Sequence, residues 1–277
     1  MHVCMKNRIS NIILLVVFFT GLFLLLYPGL SEYWNSFRQS KVISSYTQTV
    51  SAMDEQTYDK LWDQAQQYNQ KLVQRQNGFS FSEAMRQEYE SLLNPSGDGM
   101  MGYIEIPCIG VRLPIYHGTE DYELQNGVGH LEWTSLPVGG PSTHCALSGH
   151  RGLPSAKLLS NLDKVKEGDI FILYILGNEL TYQVDQIRIV EPEDVSCLST
   201  EEGKDLCTLI TCTPYGVNTH RLLVRGHRVE NEEDSGTFRV TADAVQIEPV
   251  RVAPLVAIPL LLLILLAILL PHTRKKR

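Results

Sequence analysis

Two uncharged apolar runs sit near the ends of the chain, and between them the hydrophobic rhythm changes once. Residues 9–27 carry no charge and follow Lys6 and Arg8; a helix of that length just crosses the hydrocarbon core of a bilayer. Residues 252–270 form the second run, with Pro254 and Pro259 in its first turns and the basic tail Arg274, Lys275, Lys276, Arg277 behind it. After the first run the chain is polar with apolar residues at helical spacing. Tyr58, Leu61, Ala65, Tyr68 and Leu72 make one stripe, broken at Asn77-Gly78. Ser82 is placed to cap a second helix bearing Met85, Tyr89, Leu92 and Leu93, which stops before Asn94-Pro95. From Met100 onward the rhythm is that of short strands separated by Gly, Pro, Asn and Asp. Strands are predicted over 100–106, 111–115, 143–148, 170–176, 180–190, 207–212 and 221–229. Many short strands and few long helices predict a mostly β domain, a barrel or sandwich, with no internal repeat.

The flanking charges orient this arrangement. Positive residues beside both apolar runs belong on the cytoplasmic side, so both termini are expected inside and the domain between the spans outside. The segment YPGLSEYW lacks an A-x-A-type cleavage site, which favours an uncleaved anchor over a signal peptide. The expected organisation is a tail and anchor over 1–30, a helical stalk with a possible lid over 31–99 and the β domain over 100–230. A linker over 231–251 (beginning NEEDSGT), a second span over 252–270 and a basic tail over 271–277 complete it. Six of the 24 basic residues lie in the two tails, leaving 18 against 31 acidic residues between them, a net of −13. Such a surface is a poor partner for nucleic acid.

Candidate chemistry gathers at strand ends. Cys212 closes an apolar run and is followed by Thr213-Pro214; proline cannot continue a ladder, so the strand must end there and hold the thiol at its tip. His150 follows another apolar run, between Gly149 and Arg151-Gly152, where small neighbours allow another chain to approach. Arg221 opens the run after the proline turn; Arg221, Leu223 and Arg225 share one strand face, and Leu222 and Val224 share the other. A thiol, an imidazole and a permanently charged guanidinium are the parts of nucleophilic acyl transfer, with arginine able to hold a developing oxyanion. His144 lies six residues before His150 and is given no catalytic role.

The remaining cysteines leave two readings open. Cys108, Cys145, Cys197 and Cys207 either pair outside the cell or serve as small buried apolar residues, while Cys4 sits at the cytoplasmic end. Cys145 lies five before His150 and Cys207 five before Cys212, so the first two are neighbours if their strands run parallel and adjacent. The histidines show no HxH or HExxH spacing and the cysteines no CxxC, and no glycine-rich phosphate loop occurs. The acidic run from Glu191 to Asp194 reads as a solvated loop before a calcium site. No cofactor or metal is expected.

The stretch TLITCTPYGVNTHRLLVRG resembles the signature of sortases, in detail that of the pilus-assembling class C group. HCALSGHRGLP is similar to that family's histidine segment and MGYIEIPCIGVRLPIYHGT to the start of its barrel. LEWTSLPVGG, NLDKVKEGDIF and LTYQVDQIRIVEP also resemble class C stretches, so the likeness covers about residues 102–229. The resemblance implies an eight-stranded β-barrel with His150, Cys212 and Arg221 as the triad. It implies substrates with an LPxTG-like C-terminal sorting signal, cleaved between Thr and Gly through a thioacyl enzyme. An amine resolves that intermediate, in class C usually a lysine of the next pilin. It also implies an active pair of thiolate and imidazolium, hence a bell-shaped pH–rate profile. The sequence departs from the group at the lid. Where class C enzymes carry an Asp-Pro-aromatic motif, this chain has Asn77, with Phe79 and Phe81 following. Either phenylalanine plugs the site, or both pack as ordinary turn aromatics.

Rival functions read less well. A housekeeping sortase joining surface proteins to peptidoglycan cross-bridges is the alternative within the family. An L,D-transpeptidase would share cysteine and histidine, and His117-Gly118-Thr119 is superficially similar, but no S-H-G-C-type segment surrounds Cys212. A surface protein with its own sorting signal would need an LPxTG-like motif before the second span, where the chain reads IEPVRVAP.

Overall fold

The computed structural model describes residues 2–74, 82–153, 156–231 and Pro259. Its N-terminal helix, α1 (His2–Ser51), contains Pro28 and runs without interruption past residue 30, where the stalk was expected to begin. Within it Leu15–Ser51 is the one helix, among the described residues, long and apolar enough to cross a membrane. The second expected span lies outside the described residues except for Pro259. Residues Asn35–Asp234 make one compact unit, which holds the β domain.

Helix α2 (Glu55–Gln74) begins where Asp54 accepts hydrogen bonds from the Thr57 main chain and hydroxyl, both at 2.9 Å. Its predicted stripe forms: Ala65 and Tyr68 are buried in the main core, with Tyr58, Leu61, Trp62 and Leu72 packed against it. Each large apolar side chain so buried contributes about 1.5–3 kcal/mol. The buried Asn69 is satisfied on both sides, donating to the Leu136 carbonyl at 3.0 Å and accepting from the Leu136 N–H at 2.7 Å. Helix α3 (Glu83–Ser91) is capped by Ser82, as its sequence predicted, and buries Tyr89. The two helices are therefore a cover that shares the core of the β domain.

That domain is a closed eight-stranded barrel. Its strands are β1 (Met100–Ile106), β2 (Val111–His117), β3 (Val128–His130), β4 (Thr143–Ser148), β5 (Ile170–Ile175), β6 (Asn178–Val190), β7 (Asp205–Thr213) and β8 (His220–Arg228). A short helix, α4 (Asp121–Asn126), joins β2 to β3. The circular order is β1-β2-β3-β4-β7-β8-β6-β5; β2 pairs with β3 and β4 with β7 in parallel, and every other pairing is antiparallel. Seven of the strands fall where the alternation predicted them, and β3 is new.

Alternation then decides the faces. Cys145 and Leu147 of β4, Cys207 and Leu209 of β7, and Leu222 and Val224 of β8 point into the core. Ala146, Ile210 and Leu223 point outward, where Leu198 covers them in a separate small cluster. Leu198 belongs to the β6–β7 connection, and polar contacts hold that connection to the barrel. Arg225 forms an ion pair with Glu201 of that connection at 2.8 Å and a second with Asp185 of β6 at 2.9 Å.

Candidate active site

The parallel pairing of β4 and β7 sets the geometry. Their register runs from Thr143 opposite Asp205 to Ser148 opposite Ile210, with Cys145 opposite Cys207. Two residues past the last pair stand His150 on one strand and Cys212 on the other. Gly149 continues the alignment by donating its N–H to the Ile210 carbonyl at 3.0 Å. On the other side of β7, Cys212 is the direct cross-strand partner of Arg221. Directly opposed residues in such a ladder have Cβ atoms about 4.5–5.5 Å apart.

All three side chains share the outer face. Cys212 alternates with the inward Leu209 and Thr211, and Arg221 precedes the inward Leu222. Gly149 faces inward, since a Cβ there would lie 2.8 Å from Leu159 Cδ1 and 3.1 Å from Val128 Cγ1; the next residue, His150, is therefore turned outward. The missing side chain at Gly149 is what lets Leu159 pack against the main chain there. Cys212, His150 and Arg221 are each half-buried, held by strands yet open to solvent. This is the environment in which a thiol can act as a nucleophile.

Hydrogen bonds link the residues beside His150 to those beside Cys212. Thr211 donates its hydroxyl to the Gly149 carbonyl at 2.8 Å, and Arg151 donates through Nη1 to Thr213 Oγ1 at 3.0 Å. Arg151 also pairs with Asp163 at 2.6 Å. Sequence reasoning assigned nothing to Arg151; only its position next to His150 pointed to it. The expected lid residues Asn77, Phe79 and Phe81 lie outside the described residues.

The cysteine coincidence holds: β4 and β7 are parallel neighbours, and Cys145 and Cys207 face each other in the core as free thiols. Burial pushes the Cys207 thiol well above its ordinary value, so it is protonated at neutral pH and cannot serve as a nucleophile.

His144 shares the outer face with His150 but is fully engaged. Its Nδ1 lies 2.9 Å from the Ser199 carbonyl and its Nε2 2.7 Å from Thr208 Oγ1. A carbonyl only accepts, so Nδ1 carries the proton and the Thr208 hydroxyl donates to Nε2: the neutral ring is satisfied twice. Burial lowers its pKa, with the Arg225 charge adding to the effect. A histidine depressed on folding contributes stability above its unfolded value, and that contribution is lost as pH falls through the folded one. Thermal unfolding followed from neutrality downward is expected to show stability dropping below pH 6.5. The drop should be smaller in His144→Gln. Equal acid sensitivity in the two proteins would remove His144 as a source of it.

Comparison with known proteins agrees with this architecture. A family model described as the sortase domain matches residues 104–229. The crystal structure of sortase C1 from Streptococcus agalactiae is 52% identical, with a TM-score of 0.68, covering 69% of this chain and 100% of that one. The chain belongs to the sortase family. Sortases are cysteine transpeptidases, and the structural neighbours of this one include class C sortases from several species. Sortase C of Clostridium perfringens, solved with the C-terminal cell wall sorting motif, is 40% identical over 69% of this chain and 100% of that one, with a TM-score of 0.61. Among curated relatives, Sortase D of Bacillus subtilis is 31% identical over 131 residues, which is 46% of this chain and 63% of that protein.

Proposed function

We propose that this sortase is a membrane-held enzyme that polymerises pilin subunits. Cys212 attacks the Thr–Gly carbonyl of an LPxTG-like sorting signal. The C–N bond breaks, His150 gives a proton to the departing glycine amine, and a thioester joins the threonine carbonyl to Sγ. A lysine amine of a second pilin then attacks that carbonyl, its proton passes back to His150, and the thiolate leaves. Arg221 holds the carbonyl oxygen while it carries negative charge. α1 anchors the enzyme, the barrel works outside the cell, and the second apolar span returns the chain to the membrane so that both termini are cytoplasmic.

The observation that carries this reading is the alignment of three strand ends. Its support is that the half-buried Cys212 is the cross-strand partner of Arg221, and that Gly149, the neighbour of His150, bonds to Ile210 and Thr211 of the Cys212 strand. The class C neighbours favour a pilin lysine over a peptidoglycan amine as the acceptor. The full chain in detergent, given a sorting-signal peptide and a lysine-bearing pilin, should form an isopeptide-linked product and a trapped thioester at Cys212. Cys212→Ala should lose both by about 10⁴-fold or more. Product formation by the alanine variant at the wild-type rate would end the mechanism.

A further inference from the structure

The loop after His150 and the tip of β7 are fastened together by a residue that the triad does not include. Arg151 has a side chain only 7% exposed. It donates through Nη1 to Thr213 Oγ1 at 3.0 Å and through Nη2 to Asp163 at 2.6 Å, and its guanidinium carbon stands 5.9 Å from the centre of the Tyr215 ring. Its Nε is buried with no hydrogen-bond partner among the described residues. Thr213 directly follows Cys212, Arg151 directly follows His150, and Asp163 lies in the one-turn helix Leu162–Lys164 beyond the loop. The guanidinium thus spans three pieces of chain: the nucleophile's strand end, the histidine's loop and the turn that closes that loop.

The bonding pattern is two-sided. Residues on both sides of Cys212, Thr211 and Thr213, bond to residues on both sides of His150, Gly149 and Arg151. The Thr211 bond reaches a main-chain carbonyl and would survive most changes at position 149. The other depends wholly on the Arg151 side chain. β4 ends at Ser148; past it the Gly149 N–H still bonds the Ile210 carbonyl and the His150 carbonyl accepts from the Leu159 N–H, and the Arg151 bond adds a side-chain tie from the histidine's loop to the strand end that bears Cys212.

We propose that Arg151 is a positioning residue that sets the His150 imidazole against the Cys212 thiol. The proposal rests on the assignment of those two groups as the active pair. Stability alone is a poor reason for this arrangement. An ion pair whose carboxylate is 45% exposed returns little net energy, and an unsatisfied buried donor is a standing penalty. What the planar fork supplies is direction: two fixed donors in one plane reach Thr213 and Asp163 together, which one lysine ammonium does not do.

The test uses the full chain in detergent, an LPxTG-type peptide as donor and mass spectrometry to read alkylation of Cys212 by iodoacetamide at each pH. Arg151→Met should lower kcat about 10- to 100-fold, the scale set by a displacement of about 1 Å between reacting groups. KM should stay within about threefold, because the arginine holds the enzyme's own groups and not the peptide. The pH dependence of Cys212 alkylation should differ from that of the wild type, because the imidazole no longer stands in its place beside the thiol. Arg151→Lys should not rescue kcat. Thr213→Val, which removes only the strand-end partner, should show the same profile change in weaker form, and it carries the test if Arg151→Met does not fold. A kcat within twofold of wild type, a loss confined to KM, or a lowered kcat with an unmoved alkylation profile would each overturn the assignment. A wild-type enzyme that forms no Cys212-dependent thioester would instead bring down the underlying reading, a result the Cys212→Ala control separates from failure of Arg151 alone.

Discussion

Arg221→Lys is expected to lower kcat/KM for sorting-signal cleavage by about 100- to 1,000-fold, the loss typical of removing one aligned oxyanion donor. Its melting temperature should scarcely change. The basis is a contrast between two arginines on one strand face. Arg225 is committed: it pairs with both Asp185 and Glu201 and ties down the β6–β7 connection. Arg221 makes contacts of 3.2 Å and 3.4 Å to the carbonyls of His220 and Asn218, the second too long to be strong, and no ion pair engages it among the described residues. Its charge is therefore available to a substrate, directly across the ladder from Cys212. Lysine keeps the charge but loses the planar fork that lets one donor hold the turn carbonyls while another faces the reacting oxygen. The matching variant Arg225→Lys should do the reverse, lowering the melting temperature with a smaller effect on turnover. Steady-state kinetics and thermal melts of both proteins decide the matter. Should Arg221→Lys keep kcat/KM within threefold of wild type, the guanidinium is not the oxyanion donor.

Much of this was legible in the chain, for identifiable reasons. Strands β1 and β4 follow from alternation with their boundaries intact, because turn residues bracket clean apolar runs. The equal five-residue offsets from Cys145 to His150 and from Cys207 to Cys212 made the two thiols neighbours only if their strands were parallel and adjacent, and the structure supplies that condition. β3 was not legible: three residues with a glycine at their centre show no periodicity, and the strand exists because β2 and β4 supply ladders on both sides. The break between α1 and α2 carries no glycine or proline. Its signal was Asp54 three residues before Thr57, a cap readable only once the helix end is known. The partners of Arg225 were beyond reach, since Asp185 lies 40 residues and Glu201 24 residues away along the chain. Contacts of that range come from barrel closure and leave no local trace.

The barrel seam is tightly closed at Gly102, and Gly102→Ala is expected to destabilise the domain by about 3 kcal/mol, near the upper end for overpacking. For a domain of this size that lowers the melting temperature by roughly 6–12 °C. Gly102 pairs with Ile115 of β2 and with Ile175 of β5, at an irregularity in the β1–β2 register. A Cβ there would lie 2.3 Å from the Tyr174 carbonyl oxygen and 2.5 Å from Ile175 Cδ1. The first of these is main chain, so the seam between β1 and β5 must open or the carbonyl must leave its place. Gly110 is the control. It has a left-handed φ of +61° and open space around its Cβ position, and asparagine tolerates that conformation, so Gly110→Asn should shift the melt little. In the circular order three strands separate β1 from β7, which carries Cys212. The folded fraction of Gly102→Ala should therefore keep its turnover per titrated thiol while losing heat resistance. A melting temperature within 2 °C of wild type would mean that the seam yields to a methyl group and that the glycine is not what closes the barrel.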